Sequence, residues 1–237
     1  MRRVVRGFWG PRPEPVDALT ARWSATLERI AGLLPEATGG AEPTWRTVPV
    51  SGPGAAVRTG DGASLTEALR AAQAADDWSA ANGTSLRVLL ADPAPAWKVE
   101  IAGLAGGSPE FLLQSLVVTV VAPDDARLPD AELLTAVAES WQPDYGDAGD
   151  RTVTAALKRE AGFKVGTPSV GWAGFLSPGR ASRMPDGVFG RELPGTGVLL
   201  DIAAPGDDTA PVVRAYEALK AAGALDPLPQ PMDRPAL

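Results

Sequence analysis

The sequence contains no histidine and no cysteine. Without histidine the commonest general acid-base group is missing, and with it every histidine-based catalytic triad and zinc site. Without cysteine there is no disulfide framework and no thiolate nucleophile. Any catalysis would fall to carboxylates, Lys or Tyr. Long apolar runs are absent too. No segment approaches the roughly 18 uninterrupted apolar residues that read as a membrane span. Met1-Arg2-Arg3 is not followed by an apolar run of signal-peptide length. The expectation is a cytoplasmic protein with no cofactor, no metal and no membrane partner. Cations are outnumbered, 22 Lys+Arg against 29 Asp+Glu, for a net charge of −7 and a pI near 4.7. That argues against nucleic acid as a direct ligand and leaves room for a basic protein partner.

The chain is long enough, at 237 residues, for a sizeable core. Its 26 Gly and 23 Pro predict many turns and long loops. The longest apolar run, Phe111 to Pro123, places apolar residues on both parities: Leu113, Val117 and Val121 on one, Leu116, Val118 and Val120 on the other. A half-buried strand alternates, so this one reads as a central strand covered on both faces.

Residues 3–9 predict a first strand, stopped by Gly10-Pro11-Arg12-Pro13. A helix follows from about Pro15 to Leu34, with Leu19, Trp23, Leu27 and Ile30 on one stripe. Thr44 to Val50 predict a short strand, followed by a Gly/Pro loop to Ala63. Ser64-Leu65-Thr66-Glu67 matches a capping box and predicts a helix to about Ala80. Leu86–Ala91 and Ala96–Ala102 read as a hairpin about Asp92-Pro93-Ala94-Pro95. Helices are expected from Pro129 to Trp141 and from Thr209 to Ala222, and strands over Val170–Leu176 and Gly197–Ala203. Thr152–Glu160 fits helix or strand equally. The fold class that follows is α+β. A central sheet, mostly antiparallel or mixed, carries about four helices in one domain over residues 1–226. Residues 227–237, with four prolines in nine positions, form a loosely held tail.

Four stretches together resemble a bacterial family, immunity protein 52: RGFWGPRPE at Arg6–Glu14, WQPDY at Trp141–Tyr145, PSVGWAGFLS at Pro168–Ser177, and GTGVLL at Gly195–Leu200. Their order and spacing fit over nearly the whole chain. The resemblance implies an α+β fold and a non-catalytic protein made beside a polymorphic toxin, which it binds and neutralises. It further implies a toxin partner encoded by the adjacent gene, commonly a nuclease-type effector.

Several residues are candidates for partner contact, each with a plainer alternative. Trp9 stands between Arg6 and Arg12. Trp and Arg dominate interface hot spots, yet Trp9 packed in the core with arginine over its ring is the favoured reading. Trp172, flanked by Gly171 and Ala173-Gly174, suits close approach of a partner or of a neighbouring strand. Asp144 and Tyr145 end the WQPDY stretch. With Asp147 and Asp150, Asp144 could form an acidic patch for a basic toxin surface. The same three carboxylates are the only motivation for a carboxylate-dependent hydrolase, and their spacing is not a calcium-loop pattern. A small-ligand module would need a deep pocket that sequence does not show.

Overall fold

The RVVRGFW stretch alternates so that Arg3, Val5, Gly7 and Trp9 point to one side and Arg2, Val4, Arg6 and Phe8 to the other. In the computed structural model, which describes residues 1–48, 54–58 and 62–237, this stretch is β1 (Arg2–Trp9), an interior strand of the sheet. Further strands are β2 (Thr44–Thr47), β3 (Ala56–Arg58), β4 (Thr84–Leu90), β5 (Lys98–Ala105), β6 (Gln114–Val121), β7 (Tyr145–Gly149), β8 (Ala173–Leu176), β9 (Arg191–Leu193) and β10 (Gly197–Asp201). They form one 10-stranded sheet in the order β3-β2-β4-β5-β6-β1-β7-β8-β10-β9, with every neighbouring pair antiparallel. Of the expected strand Thr44–Val50, the first part is β2; Pro49 and Val50 lie outside the described residues.

The helices are α1 (Val16–Leu33), α2 (Pro35–Thr38), α3 (Gly62–Gln73), α4 (Asp130–Trp141), α5 (Arg151–Glu160), α6 (Pro178–Ala181) and α7 (Ala210–Ala221). The expectation of about four helices is therefore corrected to seven among the described residues. Two of the additions, α2 and α6, are four-residue turns opened by Pro35 and Pro178. They are too short to carry a periodic pattern. The third, α5, resolves the ambiguous Thr152–Glu160 segment. The Asp150 carboxylate caps it by accepting hydrogen bonds from the Thr152 and Val153 amides. The capping-box helix begins at Gly62, so Ser64 lies inside its first turn, and it ends at Gln73.

One face of the sheet is covered by α1, α3 and α4 and holds the main core, including Val5, Trp9, Trp23, Ile101, Leu116 and Val118. Gly7 and Gly103 permit this close packing. A Cβ at Gly7 would meet Val137 Cγ1 at 2.9 Å, and one at Gly103 would meet Trp23 Cζ2 at 2.9 Å. A second core lies on the opposite face at the β8–β10 end, where Leu176 and Leu200 pack with Leu157, Val212 and Tyr216 from α5 and α7.

Among the described residues, the rest of that opposite face has no helical cover. β6 alternates along its length: Leu116, Val118 and Val120 are buried, while Val117, Thr119 and Val121 are only half-buried. The expectation of cover on both faces is thus corrected. The helices pack on one side of β4, β5 and β6, and the second core begins only beyond β7.

The Pro-rich tail is not loose. Leu228 and Met232 are buried, the Gly10 amide donates to Pro235 O at 2.9 Å, and the Met232 amide donates to Glu110 O at 2.8 Å. Gly10 leaves no room for a Cβ, which would run into Arg234 O.

Candidate functional site: arginine-aspartate pairs beside an open sheet face

Antiparallel pairing of β1 with β7 sets Arg6 directly opposite Asp147 and Phe8 opposite Tyr145. The β7 sequence, YGDAG, has little strand propensity. It is held extended because β1 and β8 pair with it on both sides, and a Cβ at Gly146 would press on Arg6 O at 2.6 Å. Around this pairing three aspartates meet three different arginines.

Arg6 Nη2 and Nε donate to Asp147 Oδ1 at 2.7 and 3.2 Å, and Ser169 Oγ lies 3.4 Å from Oδ2. Asp147 is 2% exposed. Burial pushes its carboxyl above the ordinary range, against the pull of Arg6 and Ser169. For Arg6, burial works downward, but the charge and hydrogen bonds of Asp147 outweigh it and raise its pKa.

Arg180 Nη2 donates to Asp144 Oδ2 at 2.6 Å, and both side chains are fully buried. The other Asp144 oxygen accepts from Ser177 Oγ at 3.1 Å and from the Leu237 amide at 2.9 Å. Arg180 Nη1 also donates to Ala224 O and Asp226 O, both at 2.8 Å. Its guanidinium lies 5.1 Å from the Tyr145 ring centre. Tyr145 is 3% exposed and stacks on Phe8. Burial raises its phenol well above the ordinary value.

Arg3 Nη1 donates to Asp150 Oδ2 at 2.5 Å. Its Nε lies 2.9 Å from Asp130 Oδ2, but out of line for a hydrogen bond. Asp150 also accepts from Trp172 Nε1 at 2.9 Å. Burial works against its charge, but Trp172, the Val153 amide and Arg3 together hold its carboxyl below the ordinary range. At Asp130 burial outweighs the pull of Arg3 and lifts the carboxyl to about 6.

Trp9 has no exposed surface and stacks on Trp141 at 5.4 Å between ring centres. Arg12 covers the same ring at 4.9 Å and donates to Trp141 O at 2.7 Å. Trp9 therefore packs in the core with one arginine over it, and Arg6 turns to the other face. Trp172 is 1% exposed and belongs to the second core. Asp144, Asp147 and Asp150 do not form an acidic surface, because each is paired with a separate arginine and the first two are buried. Among the described residues no group of three or more His, Cys, Asp or Glu could hold a metal ion.

Sequence reasoning missed Arg3 and Arg180. Arg180 sits in a four-residue helix with no pattern to mark it. Arg3 did carry a signal: it shares the parity of Val5 and Trp9, so it had to point into the core and needed a carboxylate there.

Beside the Arg6–Asp147 pair, the uncovered half of the sheet spans β2, β4, β5, β6 and β1. Strand register arranges it in rows: Arg2–Val121–Lys98, Val4–Thr119–Glu100–Leu89–Arg46, Arg6–Val117–Ala102–Arg87, and Phe8–Ser115–Leu104–Ser85. A groove of about 360 Å³ between α1 and α4, lined by Arg29, Leu33, Glu132 and Glu139, is shallow and open.

The stretches at Arg6–Glu14, Trp141–Tyr145, Pro168–Ser177 and Gly195–Leu200 feed the neighbouring strands β1, β7, β8 and β10. Residues far apart in sequence thus make one continuous part of the sheet. No protein-family model matches the chain, and no curated protein matches it. Among solved structures it is similar to a Pseudomonas aeruginosa protein, the T6SS protein PA0821, with a TM-score of 0.50 and 18% identity over 95% of this chain and 73% of that one. The likeness is one of fold. No helix among the described residues is long and apolar enough to cross a membrane.

Proposed function

We propose that this chain is an immunity protein: it binds a cognate toxin domain, encoded by the adjacent gene, and neutralises it sterically without chemistry of its own. The observation that carries this reading is the uncovered half of the sheet. Strand β6 has apolar residues on both faces, and among the described residues helices cover only one of them. A broad, open, half-apolar face suits a protein partner better than a small substrate. The fold likeness to a T6SS protein and the four family-like stretches in adjacent strands lend support.

The hydrolase alternative loses the cluster that motivated it. Asp144, Asp147 and Asp150 are each held by a different arginine, and two of them are buried. The expected basic character of the partner rested partly on those carboxylates forming a surface patch, so it weakens with them.

Co-expression is the test. The toxin domain encoded beside this gene should arrest growth alone, and this protein should restore it while co-eluting with the toxin from a sizing column. Continued arrest with no complex removes the proposal.

A further inference from the structure

The partner surface has a chemistry that can be read from the open half of the sheet. Its centre is apolar: Val4, Val117, Ala102 and Leu89 stand half-buried in adjacent rows. Its margin is cationic. Arg2, Arg46, Arg87 and Lys98 are all exposed on this face, and Arg6 is 32% exposed at its β7 border. The anions on the same face are Glu100, which lies 2.8 Å from Arg87 and 3.4 Å from Lys98, and the buried Asp147. Both are already engaged by cations. The face is therefore net basic on a chain whose net charge is −7. At the Phe8 end of these strands, the loop into β6 adds Phe111, 67% exposed, and Leu112, 49% exposed.

We infer that this open face, centred on Val117 and rimmed by Arg2, Arg46, Arg87 and Lys98, is the docking surface, and that its occupant is a protein with an apolar centre and an acidic rim. The inference rests on the toxin-binding reading for the identity of the partner; the choice of face and charge rests on the geometry.

An apolar centre with a polar, charged margin is the anatomy of a protein interface. Rim charges of one sign steer a partner of the other sign and suppress mismatched ones. A second copy of this chain does not fit, because two-fold pairing would set the cationic margin against itself. Single-stranded nucleic acid does not fit either. Such ligands use a series of aromatic stacking platforms, and this surface offers only the exposed Phe111, because Phe8 already stacks on Tyr145. The exposed Phe111 supplies the kind of aromatic anchor that contributes heavily to binding.

The test uses the full chain and the toxin domain of the adjacent gene as the probe, with affinity measured by titration calorimetry at two salt concentrations. Wild type should bind, and more weakly at high salt. Val117→Glu should lose at least about tenfold in affinity through like-charge repulsion and loss of apolar contact. The double variant Arg2→Glu, Arg46→Glu, at exposed positions outside the Glu100 ion pairs, should lose affinity and most of the salt dependence while keeping the wild-type melting temperature. A partner bound equally well by both folded variants overturns this inference and leaves the toxin-binding reading standing. No binding by wild type overturns both. Tighter binding of a poly-uridine oligonucleotide, or a face-dependent homodimer, overturns the choice of an acidic protein.

Discussion

Arg180 Nη2 and Asp144 Oδ2 lie 2.6 Å apart with no exposed surface on either side chain. This pair joins the start of β7 to α6, and through Arg180 Nη1 it reaches the chain after α7 at Ala224 and Asp226. Removing one member strands the other charge in the interior, which costs about 3–5 kcal/mol. Asp144→Ala and Arg180→Met should each lower stability by that order in urea denaturation. The double variant should cost clearly less than the sum, because no unpaired charge remains.

Asp130 gives a pH dependence with a definite sign. Its carboxyl sits at about 6 in the folded chain against an ordinary 3.8. Between those values the folded state holds a proton that the unfolded state has released, so stability falls as pH rises from about 4 to about 6, by up to about 3 kcal/mol, and is flat above. Asp150, held below the ordinary range, works in the opposite sense: its contribution is present above that range and is lost on acidification. Subtracting the stability curve of Asp130→Asn from that of wild type should isolate the falling slope. Parallel curves would show that Asp130 ionises normally.

Gly10 fixes the tail. A Cβ there would strike Arg234 O and come within 3.1 Å of Leu228 Cδ1. Gly10→Ala should therefore loosen residues 227–237 without unfolding the sheet. Faster hydrogen exchange at the Met232 amide and earlier proteolysis in the tail are the expected readouts.

Trp141 Nε1 donates to Thr26 Oγ1 at 2.7 Å, and that hydroxyl donates to Arg22 O at 2.7 Å. Thr26→Val keeps the shape and leaves a buried indole N–H without an acceptor. The expected cost is about 1–3 kcal/mol in denaturant unfolding. Trp141→Phe in the Thr26→Val background should add less than it does in wild type.

The long periodic elements were legible from sequence. The stripe of Leu19, Trp23, Leu27 and Ile30 marks α1, and the Asp92-Pro93 turn marks the β4–β5 hairpin, because local pattern and tertiary burial agree there. β7 was not legible: two glycines and an aspartate in YGDAG become strand only because β1 and β8 flank them. The site was read backwards for a related reason. Asp144, Asp147 and Asp150 look like a surface run when their cationic partners are unknown. Those partners, Arg180, Arg6 and Arg3, come from the distant β1 and α6 segments. The double-sided apolar pattern of β6 was read correctly as residues, but it does not tell whether the second cover comes from the same chain or another.

Because the natural sequence has no cysteine, a single introduced one is a unique reporter. Val117→Cys places it at the centre of the open face, and Glu28→Cys on α1, on the other side of the sheet, serves as an exposed control. Maleimide labelling of each, with and without the toxin domain of the adjacent gene, tests docking directly. The account predicts labelling at position 117 at least about tenfold slower in the complex, with the rate at position 28 unchanged. A complex that forms while position 117 labels at its free rate would contradict it.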